Sequence, residues 1–292
     1  MSFTHHSEYL PLHSLFIKEA ELAFKSQADI DQQWRNLNYL NAPDFDAALE
    51  EYQDFRGWLE KRVPEVSTFP KAEEVTMDSI YCRDASIATD FGMIICRMGK
   101  GARSPEPESQ KECFDLQGIP VLGSIEAPGT LEGGDVAWLD ERTLAVGRTY
   151  RTNASGIEQL KALLEPKGVE IIVADLPHYK GKSDVFHLMS ILSPVDKDLA
   201  VVYSPLMPIT FRETLLSRGY ELIEVPEEEF ESMGCNVLAV APRVCLMVEG
   251  NPVSQQRLID AGCEVYPYEG NHISIPGGGG PTCLTRPMKR RR

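Results

Sequence analysis

Apolar and polar positions recur along this chain in one order: apolar strand, polar turn, second apolar strand, helical stretch, then a glycine leading into another apolar strand. Four strand-turn-strand segments are complete. They are SIATDFGMIIC from Ser86, VAWLDERTLAVG from Val136, HLMSILSPVDKDLAVVY from His187 and VLAVAPRVCLMV from Val237, each turning at Asp, Gly, Pro or a charged residue. Helical periodicity follows them. In NASGIEQLKALL, Ile157, Leu160 and Leu164 share a face, and Ser155 with Glu158 has the spacing of a capping box. NPVSQQRLIDAG offers Asn251 as N-cap, Pro252 in the first turn and Gly262 as the stop. Near the start, DFDAALEEYQDFRGWL places Phe45, Leu49, Tyr52 and Leu59 at helical spacing. Gly118, Gly168, Gly219 and Gly262 precede IPVLGS, VEIIVAD, YELIEVP and CEVYPYE, the strands that close each unit.

Five helix-plus-strand segments, beginning near Ala42, Ser104, Asn153, Pro208 and Asn251, accompany only four hairpins. The fifth hairpin can be assembled from both ends. LHSLFIKEA near the start and CLTRP near the finish are lone strands, and pairing them would close a ring of five ββαβ units with no exposed sheet edge. The expectation is therefore an α/β fold with pseudo-fivefold symmetry in one domain, residues 1–292, an ordinary αβ sandwich being the alternative. The basic run at 289–292 is expected to be a disordered tail.

Laying the units over one another puts Asp84, Glu132, His187, Cys235 and Cys283 at the mouth of the first hairpin strand, spaced 48, 55, 48 and 48 residues apart. Equivalent positions in a ring face the common axis, so two carboxylates, an imidazole and two thiols would converge on one pocket. Arg103 and Arg151 each lie 19 residues after a carboxylate of this set, at the far end of their hairpins.

Composition narrows the setting. The chain is 42% hydrophobic and 25% charged, as in ordinary globular proteins. No stretch is apolar enough to span a bilayer, and MSFTHHSEYLPL lacks the basic region and apolar run of a secretory signal. Seven cysteines without paired spacing point to free thiols in a reducing compartment, so a cytoplasmic location is expected. A formal net charge of −15 excludes a nucleic-acid partner and suits a small cation.

The motifs YCRD at Tyr81 to Asp84, LEGGDV at Leu131 to Val136 with RTN at Arg151 to Asn153, FHL at Phe186 to Leu188 and GGGGPTCLT around Cys283 stand in a telling order. In them the chain resembles the guanidine-modifying or pentein superfamily, which includes arginine deiminases, dimethylarginine dimethylaminohydrolases and amidinotransferases. The resemblance runs from about His13 to Pro287 and implies a five-bladed ββαβ propeller. It also implies roles: Cys283 as nucleophile, His187 as acid/base, Glu132 as its carboxylate partner and Asp84 as the group that holds the guanidinium. Arg103 and Arg151 would hold an α-carboxylate, with Tyr81 and Asp78 completing the substrate-binding set and Asp78 suiting an amine.

These residue types fit the chemistry. A guanidinium is planar, charged and rich in donors, so carboxylates can hold it with its central carbon facing a sulfur. Thiolate is the better attacker, and a neighbouring imidazolium or a bound cation favours ionisation. His187 would protonate the leaving nitrogen and later take a proton from water. Neither metal nor organic cofactor is required, and a homodimer is compatible. Cys235 shares the register but follows Met233 and Gly234 rather than a glycine run, and reads as packing.

Arginine deiminases and amidinotransferases carry an aspartate two residues after the histidine, where this chain has Met189. That departure favours an alkylated nitrogen. The expected activity is hydrolysis of dimethyl- or methylarginine to citrulline and an amine. Arginine deiminase, arginine dihydrolase and amidinotransferase are the enzymatic alternatives. The same propeller also serves a ribosome-binding factor without catalytic residues, a reading that Cys283, His187, Glu132 and the acidic charge oppose.

Overall fold

The computed structural model describes residues 2–292. Its sheets are small and mixed: five have three strands and one has two. In the clearest unit Val136–Asp140 pairs antiparallel with Thr143–Arg148, the helix Ala154–Leu164 crosses back, and Glu170–Asp175 adds in parallel. The same antiparallel-then-parallel order joins Ser86–Ile87, Met93–Ile95 and Val121–Ser124. It recurs in Leu192–Asp196, Leu199–Val202 and Glu221–Glu224, and again in Val237–Ala241, Val244–Val248 and Glu264–Tyr268.

The fifth sheet is made from both ends of the chain, as the lone strands suggest. Thr285–Pro287 pairs antiparallel with Ser14–Ile17, Thr285 opposite Ile17, and Glu65–Thr68 adds in parallel after the helix Phe45–Glu60. That helix buries Tyr52, Phe55 and Leu59 in a cluster with Ile17, Tyr268 and Leu284, so both ends of the chain share one core. Gly118, Gly168, Gly219 and Gly262 have φ of +66, +83, +85 and +82°, the left-handed conformation that stops a helix and costs any other residue strain.

Three details differ from the sequence reading. The cap of Ala154–Leu164 is Asn153, whose Oδ1 accepts from Gly156 N at 2.9 Å and from Thr130 N at 3.1 Å, and not Ser155. At Pro252–Asp260 the Asn251 amide turns away to Ser232 O and Val248 O, and the Glu229 carboxylate caps instead, accepting from Val253 N at 2.7 Å and Ser254 N at 2.8 Å. A carboxylate also complements the helix dipole there. Most clearly, 289–292 is not a disordered tail. Arg290–Arg291 pairs with Phe3–Thr4, and the buried Arg290 guanidinium donates to Leu10 O at 2.6 Å and Ala239 O at 2.9 Å. Carbonyls from distant segments draw it in, a requirement invisible in a basic run. Among the described residues no helix is long and apolar enough to cross a membrane.

Candidate active site

Glu132 stands directly before the short turn Gly133–Asp135 and is fully buried. Its Oε1 accepts from Gly99 N at 2.9 Å and Lys100 N at 3.0 Å, which fixes the carboxylate and turns Oε2 to His187 Nε2 at 2.8 Å. Burial opposes a charge on His187, but Asp135, Asp84 and the hydrogen bond to Glu132 outweigh it and raise its pKa to about 9. Burial also opposes an ionised Glu132, and the hydrogen bond and charge of His187, with Arg151 behind them, hold its carboxyl well below the usual value. At neutral pH the two are carboxylate and imidazolium.

Asp84 completes this cluster. Its Oδ1 accepts from Gly134 N at 2.9 Å and its Oδ2 from Arg103 Nη1 at 2.5 Å. Asp84, Glu132 and His187 bring one polar atom each to within 4.8 Å of the others. Gly134 is what allows it, because a Cβ there would lie 2.5 Å from His187 Nδ1 and 2.7 Å from Asp84 Oδ1. Gly134→Ala is expected to lower kcat by about 100-fold through misplacement of the imidazole and to cost about 1–3 kcal/mol of stability. Kinetics and urea denaturation together check this; an alanine variant with native kcat would show that the approach is not needed.

The predicted substrate clamps fare differently. Arg103 is buried with every nitrogen engaged: Nε and Nη2 donate to Glu106 at 2.9 and 2.8 Å, Nη2 also to Tyr81 O at 2.8 Å, and Nη1 to Asp84. Asp78 is paired with Lys100 Nζ at 2.6 Å. Tyr81 donates from its hydroxyl to Ile273 O at 3.2 Å, and a Cβ on Gly277 or Gly279 would strike its ring. The glycine run thus packs on Tyr81, and Gly280 on Asn236, where a Cβ would come within 2.6 Å of the amide. Arg151 Nη1 is 3.5 Å from Glu132 Oε1 and Nη2 donates to Asp184 O at 3.4 Å.

Cys283 lies between this packed loop and the strand Thr285–Pro287. Asn236 Nδ2 donates to its Sγ at 3.4 Å, and Thr282 Oγ1 is 3.9 Å away. Burial and then the charge of Asp84 push its pKa up, and the contacts to Thr282, Asn236 and Arg83 offset this only in part. The resting thiol is held protonated, which leaves a bound cation, of the two aids to ionisation expected from the sequence, as the one that matters. A cation arriving beside Asp84 would cancel the opposing charge.

Cys283, His187, Gly134, Met189, Asn236 and Phe186 border one cavity of about 320 Å³. Cys235 also touches it, but burial raises its pKa and its thiol donates to Val201 O at 3.6 Å. A second cavity of about 240 Å³, with Arg148, Arg151 and His178, adjoins the first along Tyr179, Lys180, Asp184 and Phe186. Asp78, Tyr81, Asp84, Glu132 and Arg103 stand behind these walls.

Three residues escaped the sequence reading. Asp135 holds Leu188 N at 3.0 Å and Thr149 Oγ1 at 2.7 Å, and burial raises its pKa to about 6. Glu106 anchors Arg103, with a pKa raised by burial to about 7 against the pull of that arginine. Asn236 holds both Thr282 and Cys283. Asp135 sits inside the quoted LEGGDV and could have been found there; Glu106 and Asn236 carry no local signal.

Comparison with known proteins agrees with this architecture. A dimethylarginine dimethylaminohydrolase of Pseudomonas aeruginosa is 28% identical over 242 residues, covering 82% of this chain and 89% of that protein. An arginine deiminase of Listeria welshimeri is 27% identical over 252 residues, covering 72% of this chain but 61% of its own length. A solved P. aeruginosa dimethylarginine dimethylaminohydrolase, a cysteine-to-serine variant complexed with citrulline, superposes with a TM-score of 0.77 over 95% of this chain and 99% of its own, at 24% identity, which establishes a shared fold. The family profile described as N,N dimethylarginine dimethylhydrolase, eukaryotic, matches residues 19–290. Since that match takes in four of the three-stranded sheets, two of the three strands of the fifth and every residue around the cavity, the chain belongs to the N,N dimethylarginine dimethylhydrolase family.

Proposed function

We propose that this chain is a cysteine hydrolase that converts methylated arginines to citrulline and an amine, with Cys283 as nucleophile, His187 as acid and then base, and Glu132 as the partner of His187. The observation that carries it is the sharing of one cavity by Cys283 and His187, whose imidazole is paired with the buried Glu132 carboxylate behind the wall. Met189 on the same wall supplies a thioether in place of a second carboxylate, which accommodates a methylated nitrogen. The five repeated sheets and the pairing of the two chain ends support their standing as five blades around this cavity.

The geometry suggests a sequence of events. The substrate guanidinium, drawn to Asp84 and Glu132, supplies the positive charge that lets Cys283 lose its proton to solvent. The thiolate attacks the central guanidino carbon. His187 gives its proton to the dimethylated nitrogen as that C–N bond breaks, leaving an S-alkylthiouronium on the enzyme. Water then attacks the same carbon while neutral His187 takes its proton; the C–S bond breaks, citrulline leaves and the thiol is restored. Arg151 beside the second cavity suits the α-carboxylate of such a substrate, whereas Arg103 acts by holding Asp84.

Colorimetric detection of ureido product tests the reading with asymmetric dimethylarginine, monomethylarginine, arginine, agmatine and guanidinoacetate. Methylated arginines are expected to exceed arginine in kcat/KM by about tenfold or more. Preference for arginine would make the chain a deiminase, and no ureido product from any of the five would overturn the hydrolase reading.

A further inference from the structure

We propose that Asn236 and Thr282 form a donor cradle for the reacting sulfur, holding Cys283 as a thiolate once it has lost its proton. This rests on the hydrolase reading above and gives its nucleophile two partners beyond the imidazole and the carboxylates.

The polar groups around the sulfur are few. Cys283 N and Leu284 N both donate to Gly280 O, at 3.0 and 3.1 Å, so neither amide is left for it. The contacts come from side chains, Asn236 Nδ2 at 3.4 Å and Thr282 Oγ1 at 3.9 Å from Sγ. The Asn236 amide has one orientation: its Oδ1 accepts from Thr282 N at 3.1 Å, a group that can only donate, so the NH2 faces the sulfur. The backbone beneath it is fixed as well. The Ser193 hydroxyl donates to Cys235 O at 2.7 Å and accepts from Val237 N at 3.1 Å, one residue to either side, and Asn236 N donates to Met233 O at 2.9 Å.

The three side chains form a closed ring in the resting state. Thr282 gives its one hydroxyl proton to Asn236 Oδ1 at 2.9 Å, so the proton between Thr282 and Cys283 is that of the thiol, while Asn236 Nδ2 donates back to Sγ. Asn236 is buried, and among the described residues this sulfur is the only acceptor of its NH2 group. A neutral thiol accepts weakly, so the buried donor is poorly matched until the sulfur carries charge. When the thiol proton leaves for solvent, the Thr282 hydroxyl can turn from Asn236 Oδ1 to the sulfur, with Oδ1 keeping Thr282 N, and the thiolate then meets two donors. The charged groups that face it are Asp84, which opposes the anion, Arg83, which favours it, and His187 across the cavity. Tyr81 and Tyr268, pushed up by burial, stay neutral.

The test follows alkylation of Cys283 by iodoacetamide in the full chain from about pH 6 to 10, with the modified residue located by mass spectrometry. Asn236→Ala and Asn236→Asp should each raise the pH midpoint of alkylation by about one unit or more. The first adds no charge and the second keeps the oxygen that holds Thr282, so a rise common to both reports the lost donor. Thr282→Val should raise the midpoint by about half a unit, and Thr282→Ser should restore most of that difference. With methylarginines, kcat should fall about 10- to 100-fold in both Asn236 variants. An unchanged midpoint in either Asn236 variant or in Thr282→Val, or an unchanged kcat in the Asn236 variants, would overturn the cradle. Alkylation needs no turnover, which keeps the two readings separable: an unsubstituted protein that forms no ureido product ends the hydrolase reading, and the midpoints alone then decide the cradle.

Discussion

Cys283→Ser is expected to lower turnover of methylarginines by a factor of about 10⁴ or more and to abolish the covalent adduct seen by mass spectrometry. A serine hydroxyl at this place has no adjacent base: His187 is already protonated, raised to about 9, and Asp84 opposes any new anion. Cysteine can cross that barrier when a cationic substrate arrives because its thiolate lies within reach of neutral pH, whereas an alkoxide does not. Cys235→Ser should keep the adduct and most of the activity, since that thiol is bonded to Val201 O and burial keeps it protonated. An adduct that survives in Cys283→Ser and disappears in Cys235→Ser would reassign the nucleophile.

Glu132→Gln is the second large effect. Without the carboxylate the His187 pKa should fall back toward 6.5, so the leaving nitrogen loses its acid at pH 8 and kcat drops by about 10²- to 10⁴-fold. The basic limb of the pH profile should move down by about one unit or more; a limb that stays in place would remove Glu132 from this role. Stability follows the same titration with a definite sign. The folded His187 pKa is raised, so its contribution is complete below 6.5 and lost as pH climbs through about 9. Glu132 is depressed, so its contribution is present above 4.5 and lost as pH falls through the folded value. Urea midpoints of the unsubstituted protein should therefore decline between pH 6.5 and 9.5 more steeply than those of Glu132→Gln.

Much of the architecture was legible because one pattern is written five times. Period-two strands, period-3.6 helices and the glycines at 118, 168, 219 and 262 follow from local sterics, and local rules survive in a sequence. The common register likewise brings Asp84, Glu132, His187 and Cys283 to one region. What could not be read was how buried charges divide their partners. Arg103 looks like a free guanidinium until Glu106 is seen to hold it in the fold, and Asp78 like a free carboxylate until Lys100 is placed. The caps failed for the same reason: Glu229 reaches a helix that begins 23 positions later, which no local motif encodes. Arg290 was misread because its acceptors are carbonyls of remote segments.

The seam that joins Ser14–Ile17 to Thr285–Pro287 has a consequence for how the protein is made. During translation the first of these strands emerges long before its partner, so its hydrogen-bonding edge stays open until that partner is made. The sulfur of Cys283 arrives only two residues ahead of that partner. A nascent chain cannot bring Cys283 to His187 until the strand Thr285–Pro287 has docked, and the high contact order of that closure makes it a slow step in folding.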